Sequence, residues 1–298
     1  MDVLVTGGTG FIGRPLCARL LADGHRVTVL SRSPARFAAA MPQVRLVDRL
    51  ETAGRAEAVV NLAGEGLSDG RWTAARKRRF RQSRLDTTAR LHDWIAAQPG
   101  AQRPRVLVSG SAIGFYGDRG DRGDTALGET ATAGDDFAAQ LCRDWEAHGL
   151  RVAALGPRVC LLRTGIVLAA DGGALARMLP PFRLGAGGRF GDGRHWMSWI
   201  HRDDLVALVA WLLQGDLHGP FNGTAPEPVR NDAFVRELAG ALRRPALLPL
   251  PATALRLAFG EMADLLLASQ RVLPQRAQQA GFAFRHPGLA EALQEILR

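Results

Sequence analysis

Short apolar runs alternate with longer amphipathic segments from the N-terminus to about residue 214. Runs of strand length lie at 3–7, 26–30, 44–47, 58–64, 105–111 and 158–168, and helical patterns cover 14–23, 73–98, 135–149 and about 203–214. Strands that alternate with helices are typical of a parallel sheet with helices on both faces. The pattern therefore predicts an α/β fold built on a doubly wound parallel sheet.

The pattern changes after Leu168. Residues 171–193 read DGGALARMLPPFRLGAGGRFGDG, and this density of Gly and Pro predicts a loop-dominated segment that lines a pocket. Trp196 and Trp199 follow, and we expect them to pack either in the core or beside that pocket. A tail from 219 to 298 completes the chain.

A glycine-rich turn follows the first strand. Residues 7–13 read GGTGFIG, which fits G-x-G-x-x-G from Gly8 and G-x-x-G-x-x-G from Gly7. Such a turn lets backbone N–H groups approach a pyrophosphate at the positive end of the next helix. The predicted dinucleotide contacts are Gly7, Gly10, Phe11, Ile12 and Gly13. We accordingly predict a Rossmann-type domain at 1–168 plus about 198–215, and a smaller C-terminal substrate lobe at 169–197 and 216–298.

The end of the second strand distinguishes between the two nicotinamide dinucleotides. A carboxylate at that position binds the ribose of NAD, but the chain has Ser31 and Arg32 there. A guanidinium presents a planar fork of donors to phosphate oxygens, so the sequence favours NADP over NAD, with Arg36 placed to assist. Asp48 follows the third strand and is predicted to meet the adenine amino group, with a surface turn as the alternative.

Further candidates lie where the later strands end. Leu62, Ala63 and Gly64 supply small residues and free backbone beside the cofactor. Ser109 and Ser111 end the fifth strand, at the sheet edge where open α/β sheets bind ligands, although either serine can instead cap a turn. Arg163 ends the sixth strand and faces either the nicotinamide or a surface acid.

The charge of the chain is strongly positive, at +9, yet it comes almost entirely from arginine: Lys77 is the one lysine among 38 basic residues. The segment 71–84, RWTAARKRRFRQSR, is predicted to be a solvated helix face near a subunit contact, with phosphate or nucleic-acid binding as the alternative. Aromatic residues for base stacking are few. We therefore predict a small-molecule substrate and no nucleic-acid partner, and leave a homodimer open.

The three cysteines lie far apart, so neither a disulfide framework nor a metal site is predicted. No run of about 20 apolar residues crosses a membrane, and no signal peptide precedes the first strand. A cytoplasmic location with no membrane partner is expected.

Several long segments resemble a known family. NLAGEGLSDGRWT, SGSAIGFYG, LLRTGIVL, WMSWIHRDDL and FNGTAPEPV, together with GGTGFIG, resemble the extended short-chain dehydrogenase/reductase superfamily. More narrowly, the chain is similar to atypical NAD(P)-dependent epimerase/dehydratase proteins with a C-terminal domain of unknown function. The resemblance implies an extended-type nucleotide site and a catalytic serine at Ser111.

The resemblance also exposes a missing pair. The superfamily uses Tyr-x-x-x-Lys, but this chain has one tyrosine, Tyr116, and the corresponding positions hold Phe137 and Leu141. A general acid or base contributes about 10² to 10⁴ in rate, roughly 3 to 5 kcal/mol. The replacements considered are Tyr116, His201 and His195. For Tyr116 the alternative is packing, and for His201 it is anchoring of the following helix, with Asp203 or Asp204 as its N-cap.

Two functions remain open at this point. The first is an NADP-dependent oxidoreductase or epimerase of a small carbonyl or sugar-like substrate, in which Ser111 polarises the carbonyl. The second is a non-catalytic NADP(H)-binding redox sensor or regulatory protein, which needs only the cofactor site. The pocket-like segment 171–199 favours the enzyme.

Overall fold

The computed structural model describes residues 1–67, 70–119 and 123–298, so positions 68 and 69 of the NLAGEGLSDGRWT segment lie outside it. The strands are β1 (Asp2–Thr6), β2 (Arg26–Leu30), β3 (Arg45–Val47), β4 (Ala58–Asn61), β5 (Val106–Ala112), β6 (Arg158–Thr164), β7 (Ile166–Ala169), β8 (Trp196–Met197), β9 (Trp199–His201), β10 (Gly219–Gly223) and β11 (Val229–Arg230). The α-helices are α1 (Gly13–Ala22), α2 (Pro34–Phe37), α3 (Ala74–Ala96), α4 (Phe137–Leu150), α5 (Gly173–Arg183), α6 (Arg202–Gln214), α7 (Asn231–Leu242), α8 (Ala252–Phe259), α9 (Met262–Leu267), α10 (Gln275–Gln279) and α11 (Leu289–Ile296). Short 3-10 helices lie at Gly100–Gln102, Ile113–Tyr116 and Arg151–Leu155.

The central sheet contains seven parallel strands in the order β10-β6-β5-β4-β1-β2-β3. This order confirms the predicted doubly wound, Rossmann-type sheet. The chain reverses direction across the sheet between β1 and β4, and ligands of such sheets bind beyond the carboxyl ends of the strands at that point. The glycine-rich turn after β1 lies at this switch point.

Alternation along the strands explains why helices cover both faces. In β1, Val3 and Val5 belong to a core with α1 and α6, whereas Leu4 belongs to a second core with α3. Successive side chains of a strand point to opposite faces, so a strand that is apolar at consecutive positions needs cover on both sides. The apolar runs read from the sequence are therefore the interior strands of a three-layer fold.

Two predicted elements differ from the structure. The run 158–168 is two strands, because after Gly165 the amide of Ile166 donates to Ser198 and β7 pairs with β9 outside the main sheet. Residues 173–183, predicted to be loop, form helix α5. Its buried residues, Leu175, Leu179 and Phe182, recur at helical spacing, and this apolar stripe outweighs the local Gly and Pro content.

The C-terminal lobe has a core of its own, formed by α5, α7 and α11 around Trp199 and Phe234, both fully buried. Residues 219–223, which the sequence placed with this lobe, form β10 at the edge of the central sheet. No helix in the described ranges combines the length and apolarity needed to span a bilayer.

One buried carboxylate attaches the end of the chain to the central domain. Asp204, in the first turn of α6, is 2% exposed and accepts hydrogen bonds from the backbone N–H groups of Arg285 and His286, both at 2.9 Å. The backbone of residues 285–286 is thereby fixed against α6. Buried backbone donors need such partners, because an unpaired one costs about 1 to 3 kcal/mol.

We predict that Asp204→Ala lowers the free energy of unfolding in urea by about 2 to 4 kcal/mol, since it leaves two backbone donors without their acceptor. Asp203→Ala is the matched control, because Asp203 is exposed in the same helical turn. Its loss removes only a favourable charge at the helix N-terminus, worth about 0.3 to 1 kcal/mol. Equal losses in the two variants would contradict this role of Asp204.

Candidate functional site

The turn between β1 and α1 is closed by direct contacts between backbones. Gly7 has a φ of 72°, and a Cβ on it would stand 2.6 Å from the carbonyl oxygen of Leu62. A Cβ on Gly13 would stand 2.2 Å from the carbonyl oxygen of Gly7. Only glycine fits at either position, so the spacing that begins at Gly7 defines the turn. Gly10 completes it by donating its N–H to Gly7 at 3.0 Å.

The turn leaves donors free at the start of α1. Within the described residues, the N–H groups of Phe11 and Ile12 have no acceptor. Ile12 is the N-cap without a side-chain hydrogen bond, and the first turn of α1 contains no acidic residue. The positive end of a ten-residue helix is thus uncompensated by protein groups, which is the arrangement that binds phosphate.

Phe11 also connects the turn to the segment after β7. A Cβ on Gly172 would stand 2.4 Å from the Phe11 ring, and the Arg202 guanidinium lies 5.1 Å from the centre of the ring. A cleft of about 770 Å³ opens here between Gly10, Phe11, Arg14 and the segment at Asp171. Its described lining comes from the glycine turn, α1, residues 40–44 and the segment at Asp171, with no residue of β4 or β5.

The ends of β2 and β3 meet at one corner of the sheet. The N–H of Ser31 donates to the carbonyl oxygen of Val47 at 2.8 Å, which brings Ser31 and Arg32 close to Asp48. Ser31 is buried, and its hydroxyl accepts from the N–H of Ser33, whereas Arg32 and Asp48 are exposed. An exposed guanidinium beside a buried hydroxyl can receive an additional phosphate group.

The segment after β4 packs against the glycine turn. The N–H of Ala63 donates to the Thr6 hydroxyl at 3.3 Å, and the carbonyl group of Leu62 lies against Gly7. Beyond Gly64, the Arg84 guanidinium donates to the carbonyl oxygen of Glu65 at 3.1 Å and lies 5.2 Å from the centre of the Trp145 ring. Burial lowers the pKa of Arg84, against the weaker influence of nearby negative charge.

A buried polar network occupies the ends of β5 and β6. The Arg163 guanidinium donates to both carboxylate oxygens of Glu146, at 2.8 and 2.9 Å. Ser111 donates to the same carboxylate at 2.7 Å, and Arg163 donates to the Tyr116 hydroxyl at 3.1 Å. The Tyr116 hydroxyl donates in turn to Asn222 Oδ1 at 2.6 Å. The network therefore joins α4, β5, β6 and β10.

This network does not fit the catalytic roles predicted for Ser111 and Tyr116, and it pairs Arg163 with the buried Glu146. Ser111, Tyr116 and Arg163 are each less than 5% exposed, and their polar hydrogens are directed to protein acceptors. Burial raises the pKa of Tyr116, and the nearby Arg163 only partly opposes that shift. The raised pKa is the opposite of what general acid–base catalysis by tyrosine needs at neutral pH. The geometry instead supports the packing alternative for Tyr116.

The remaining predicted residues lie apart from this network. Ser109 is fully buried against Gly149 of α4, and its hydroxyl has no partner among the described residues. His201 is itself the N-cap of α6, accepting from the N–H of Asp203 at 3.1 Å, where the sequence analysis named Asp203 or Asp204 as the cap. Its ring centre lies 4.1 Å from that of His286 with the two rings tilted by 40°, and burial lowers the pKa of His201. His195 is also buried, with a lowered pKa and an unpartnered Nε2 among the described residues.

The start of α4 meets the start of α3 and the C-terminal lobe. Phe137 is the first residue of α4, and its ring meets the Trp72 ring edge-on with 5.6 Å between the ring centres. The Lys77 ammonium lies 4.8 Å from the centre of the Phe137 ring. Lys77 also forms an ion pair with Glu261 of the lobe. Asp136 caps α4 and accepts from the N–H of Asp118, in the segment that follows β5. An aromatic and charged surface is thus assembled around Phe137, the position at which the resemblance leads one to expect a tyrosine.

Sequence reasoning missed the partners of the buried network, namely Glu146 and Asn222. A signal for Glu146 existed, because helical spacing puts it on the same face of α4 as Cys142, Trp145 and Gly149, which are buried. No comparable signal marks Asn222, whose partners come from distant parts of the chain. The fold brings together two groups of predicted residues. Residues 62–64 lie against the glycine turn, and Ser31 and Arg32 lie close to Asp48.

Two known protein families match parts of the chain. The NAD dependent epimerase/dehydratase family matches residues 3–222, and a domain of unknown function, DUF1731, matches residues 250–296. The chain therefore belongs to the NAD dependent epimerase/dehydratase family. It is 42% identical to the chloroplastic SDR39U1 homologue of Arabidopsis thaliana, covering 100% of this chain and 87% of that protein. The predicted cytoplasmic location stays a prediction.

Solved structures extend the comparison. The human epimerase family protein SDR39U1, crystallised with NADPH, is 37% identical with a TM-score of 0.90, covering 100% of this chain and 99% of that one. A nucleoside-diphosphate sugar epimerase from Corynebacterium glutamicum is 32% identical with a TM-score of 0.78, and the match spans 58% of that chain. A UDP-galactose 4-epimerase, at 18% identity and a TM-score of 0.75, shares the fold.

Tyr116→Phe tests whether this tyrosine stabilises the fold or takes part in chemistry. We expect the free energy of unfolding to fall by about 1 to 3 kcal/mol, because Asn222 and Arg163 each lose a buried partner. NADPH affinity and any turnover should persist at temperatures where the variant is folded. The double variant with Asn222→Ala should show a coupling of about 0.5 to 3 kcal/mol. Unchanged stability combined with lost turnover would contradict the structural role.

Proposed function

We propose that this protein binds NADP(H) across the carboxyl edge of its sheet and transfers hydride to or from a small carbonyl or sugar-like substrate. The family contains NAD-dependent epimerases and dehydratases, and the human relative was crystallised with NADPH. A nicotinamide dinucleotide, when bound, supplies a hydride donor or acceptor. The residues of this chain bind that group, orient it and keep water away.

The free amides of Phe11 and Ile12 are the observation that carries the proposal. They lie at the positive end of α1, in a turn that Gly7 and Gly13 pack too closely for any side chain. A pyrophosphate satisfies such donors and is favoured by the helix dipole. The backbone at 62–64 lies directly beside the turn and forms the next part of the groove.

The preference for NADP is supported by the corner that follows β2. Arg32 is exposed there and has no ion-pair partner in the described part of the chain, and Ser31 presents a hydroxyl beside it. No carboxylate stands at the end of β2 to bind a ribose 2′-hydroxyl or repel a 2′-phosphate. Asp48 follows β3 beside this corner, and we assign it to the adenine amino group.

A second function, a non-catalytic NADP(H)-binding redox sensor, is favoured by one specific observation. The hydroxyl groups of Ser111 and Tyr116 are committed to Glu146 and Asn222, so neither is available to a substrate carbonyl. A sensor would need only the nucleotide groove. We prefer the enzyme, because the aromatic and charged surface at Trp72, Lys77 and Phe137 is linked through α3 to Glu65, next to residues 62–64, and a sensor needs no such surface.

The proposed partner is therefore a small molecule. The basic segment 71–84, for which nucleic acid was the alternative, has several of its cations engaged: Arg71 with the lobe backbone, Lys77 with Glu261 and Arg81 with Asp144. A homodimer stays a prediction.

Titration of NADPH and NADH by calorimetry tests the cofactor preference. We expect NADPH to bind more tightly, and Arg32→Ala to weaken NADPH by about 10- to 100-fold with little effect on NADH, because a charge-assisted hydrogen bond contributes about 1.5 to 3 kcal/mol. Arg55→Ala is the matched control, since Arg55 is exposed at the amino edge, before β4. Equal affinities for the two reduced cofactors in the unmodified protein would refute the argument.

Absorbance at the reduced nicotinamide band, followed with a panel of aldehydes, ketones and nucleotide sugars, separates the enzyme from the sensor. The enzyme predicts NADPH oxidation with at least one carbonyl class. Tight NADPH binding with no turnover across the panel would favour the sensor.

A further inference from the structure

We propose that Lys77 is the proton-transfer residue of this protein, acting on an oxygen atom of a small carbonyl or hydroxyl substrate. The proposal rests on the proposed function, because it concerns the site beside the nucleotide groove. It assigns to a residue of α3 the task that the hydroxyl groups of Ser111 and Tyr116 cannot perform where they lie.

Composition gives the first argument. The chain uses arginine at every basic position except Lys77, among 38 basic residues. Where only a positive charge is needed, arginine serves, but a guanidinium does not release its proton in proteins, whereas a lysine amine can. A lone lysine in an arginine-rich chain is therefore expected where the ability to lose a proton matters.

Position gives the second argument. Lys77 lies in the first turn of α3, and two turns later Ser83 and Arg84 bind the backbone at Glu65, just beyond the carboxyl end of β4. Its ammonium lies over Phe137, the first residue of α4, whose cap Asp136 binds the segment that follows β5. The two helices that hold Lys77 and its neighbour Phe137 are thus bonded to the chain segments that leave β4 and β5 at the ligand-binding edge of the sheet.

The surroundings of the amine also suit proton transfer. The side chain of Lys77 is 26% exposed, so it is partly withdrawn from water yet reachable. One side is apolar, formed by the Phe137 ring, which contacts Trp72. The other side is Glu261, whose side chain is 58% exposed and comes from the C-terminal lobe. A carboxylate that pairs with the Lys77 amino group and also contacts solvent can carry a proton from water to that amino group.

Other titratable groups nearby are less suited. Burial raises the pKa of Cys142 to about 11, which keeps the thiol protonated. Arg76 and Arg79 lie near Glu65, and Arg84 donates to backbone carbonyl oxygens. The guanidinium groups of these three residues do not release a proton in proteins. His195 lies across the lobe and remains the rival candidate, because its Nε2 is buried without a partner among the described residues.

In the direction of reduction, the carbonyl group receives a hydride and a proton from two different donors. The carbonyl carbon accepts a hydride, with its electron pair, from the reduced nicotinamide, which is thereby oxidised, and the C=O π bond breaks. The carbonyl oxygen takes the proton of the Lys77 ammonium, which forms the O–H bond of the alcohol. The neutral amine then regains a proton from water, through Glu261.

The single lysine makes the test direct. Protein produced with lysine labelled by ¹³C and ¹⁵N in the side chain gives one lysine signal, which belongs to Lys77. We expect this signal to shift when isobutyramide, an amide that mimics a carbonyl but is not reduced, is added to the protein saturated with NADPH. A signal that responds to neither NADPH nor the amide would overturn the proposal.

Variants provide the second readout. Lys77→Arg keeps the charge, and the double variant Lys77→Arg with Arg78→Lys keeps one lysine but moves it to the neighbouring exposed position. Both should lower turnover by about 10² to 10⁴-fold while the NADPH dissociation constant changes less than about three-fold. Glu261→Gln should reduce turnover by less than Lys77→Arg does.

The possible failures are distinguishable. If the unmodified protein does not bind NADPH, the proposed function fails and this inference fails with it. If NADPH binds and Lys77→Arg retains the original rate while His195→Gln loses it, the proposed function stands and the role of Lys77 is refuted.

Discussion

Arg163 and Glu146 form a buried, doubly hydrogen-bonded ion pair at the carboxyl edge of the sheet, and the polar groups around them depend on it. Burial alone lowers the pKa of Arg163, but the hydrogen bonds and charge of Glu146 outweigh that effect and raise it. Removing one partner of such a pair leaves an uncompensated buried charge, which costs about 3 to 5 kcal/mol. The pair therefore holds β6 and α4 in one arrangement.

The consequence for function is a division of labour at one edge of the sheet. On the side of β5 and β6, hydroxyl groups that would suit a substrate are occupied by the ion pair and by Asn222. On the side of β1 and β2, the N–H groups of Phe11 and Ile12 and the Arg32 guanidinium have no partner among the described residues. We thus assign nucleotide binding and rigid support to different strands. Lys77 of α3 contacts Phe137 of α4, and Arg84 of the same helix as Lys77 bonds to Glu65 beyond β4.

The parts of this arrangement that sequence predicts are the local ones. The glycine spacing, the strand before it and the helix after it are adjacent in the chain, so Gly7 to Gly13 could be predicted without the fold. Arg32 could be predicted for the same reason, because its position is defined by the end of β2 alone. Helix α5 was missed because its Gly and Pro residues favour a loop, and its apolar stripe has only three residues. That those three residues face a core becomes clear only from the packing of the lobe.

The buried network was missed for a different reason. Tyr116 and Asn222 are separated by 106 positions, and the role of a hydroxyl depends on whether water or another side chain meets it. Serine and tyrosine after a strand are equally typical of a catalytic loop and of a buried structural network, so their residue types do not decide between the two. The ammonium of Lys77 and the ring of Phe137 likewise become neighbours only through the packing of α3 on α4.

A crystal structure of the complex with NADP⁺ would locate the dinucleotide. We expect pyrophosphate oxygens within about 3 Å of the Phe11 and Ile12 nitrogen atoms, and the 2′-phosphate against the Arg32 guanidinium. A dinucleotide bound elsewhere, or one whose pyrophosphate makes no contact with these two amides, would contradict this expectation.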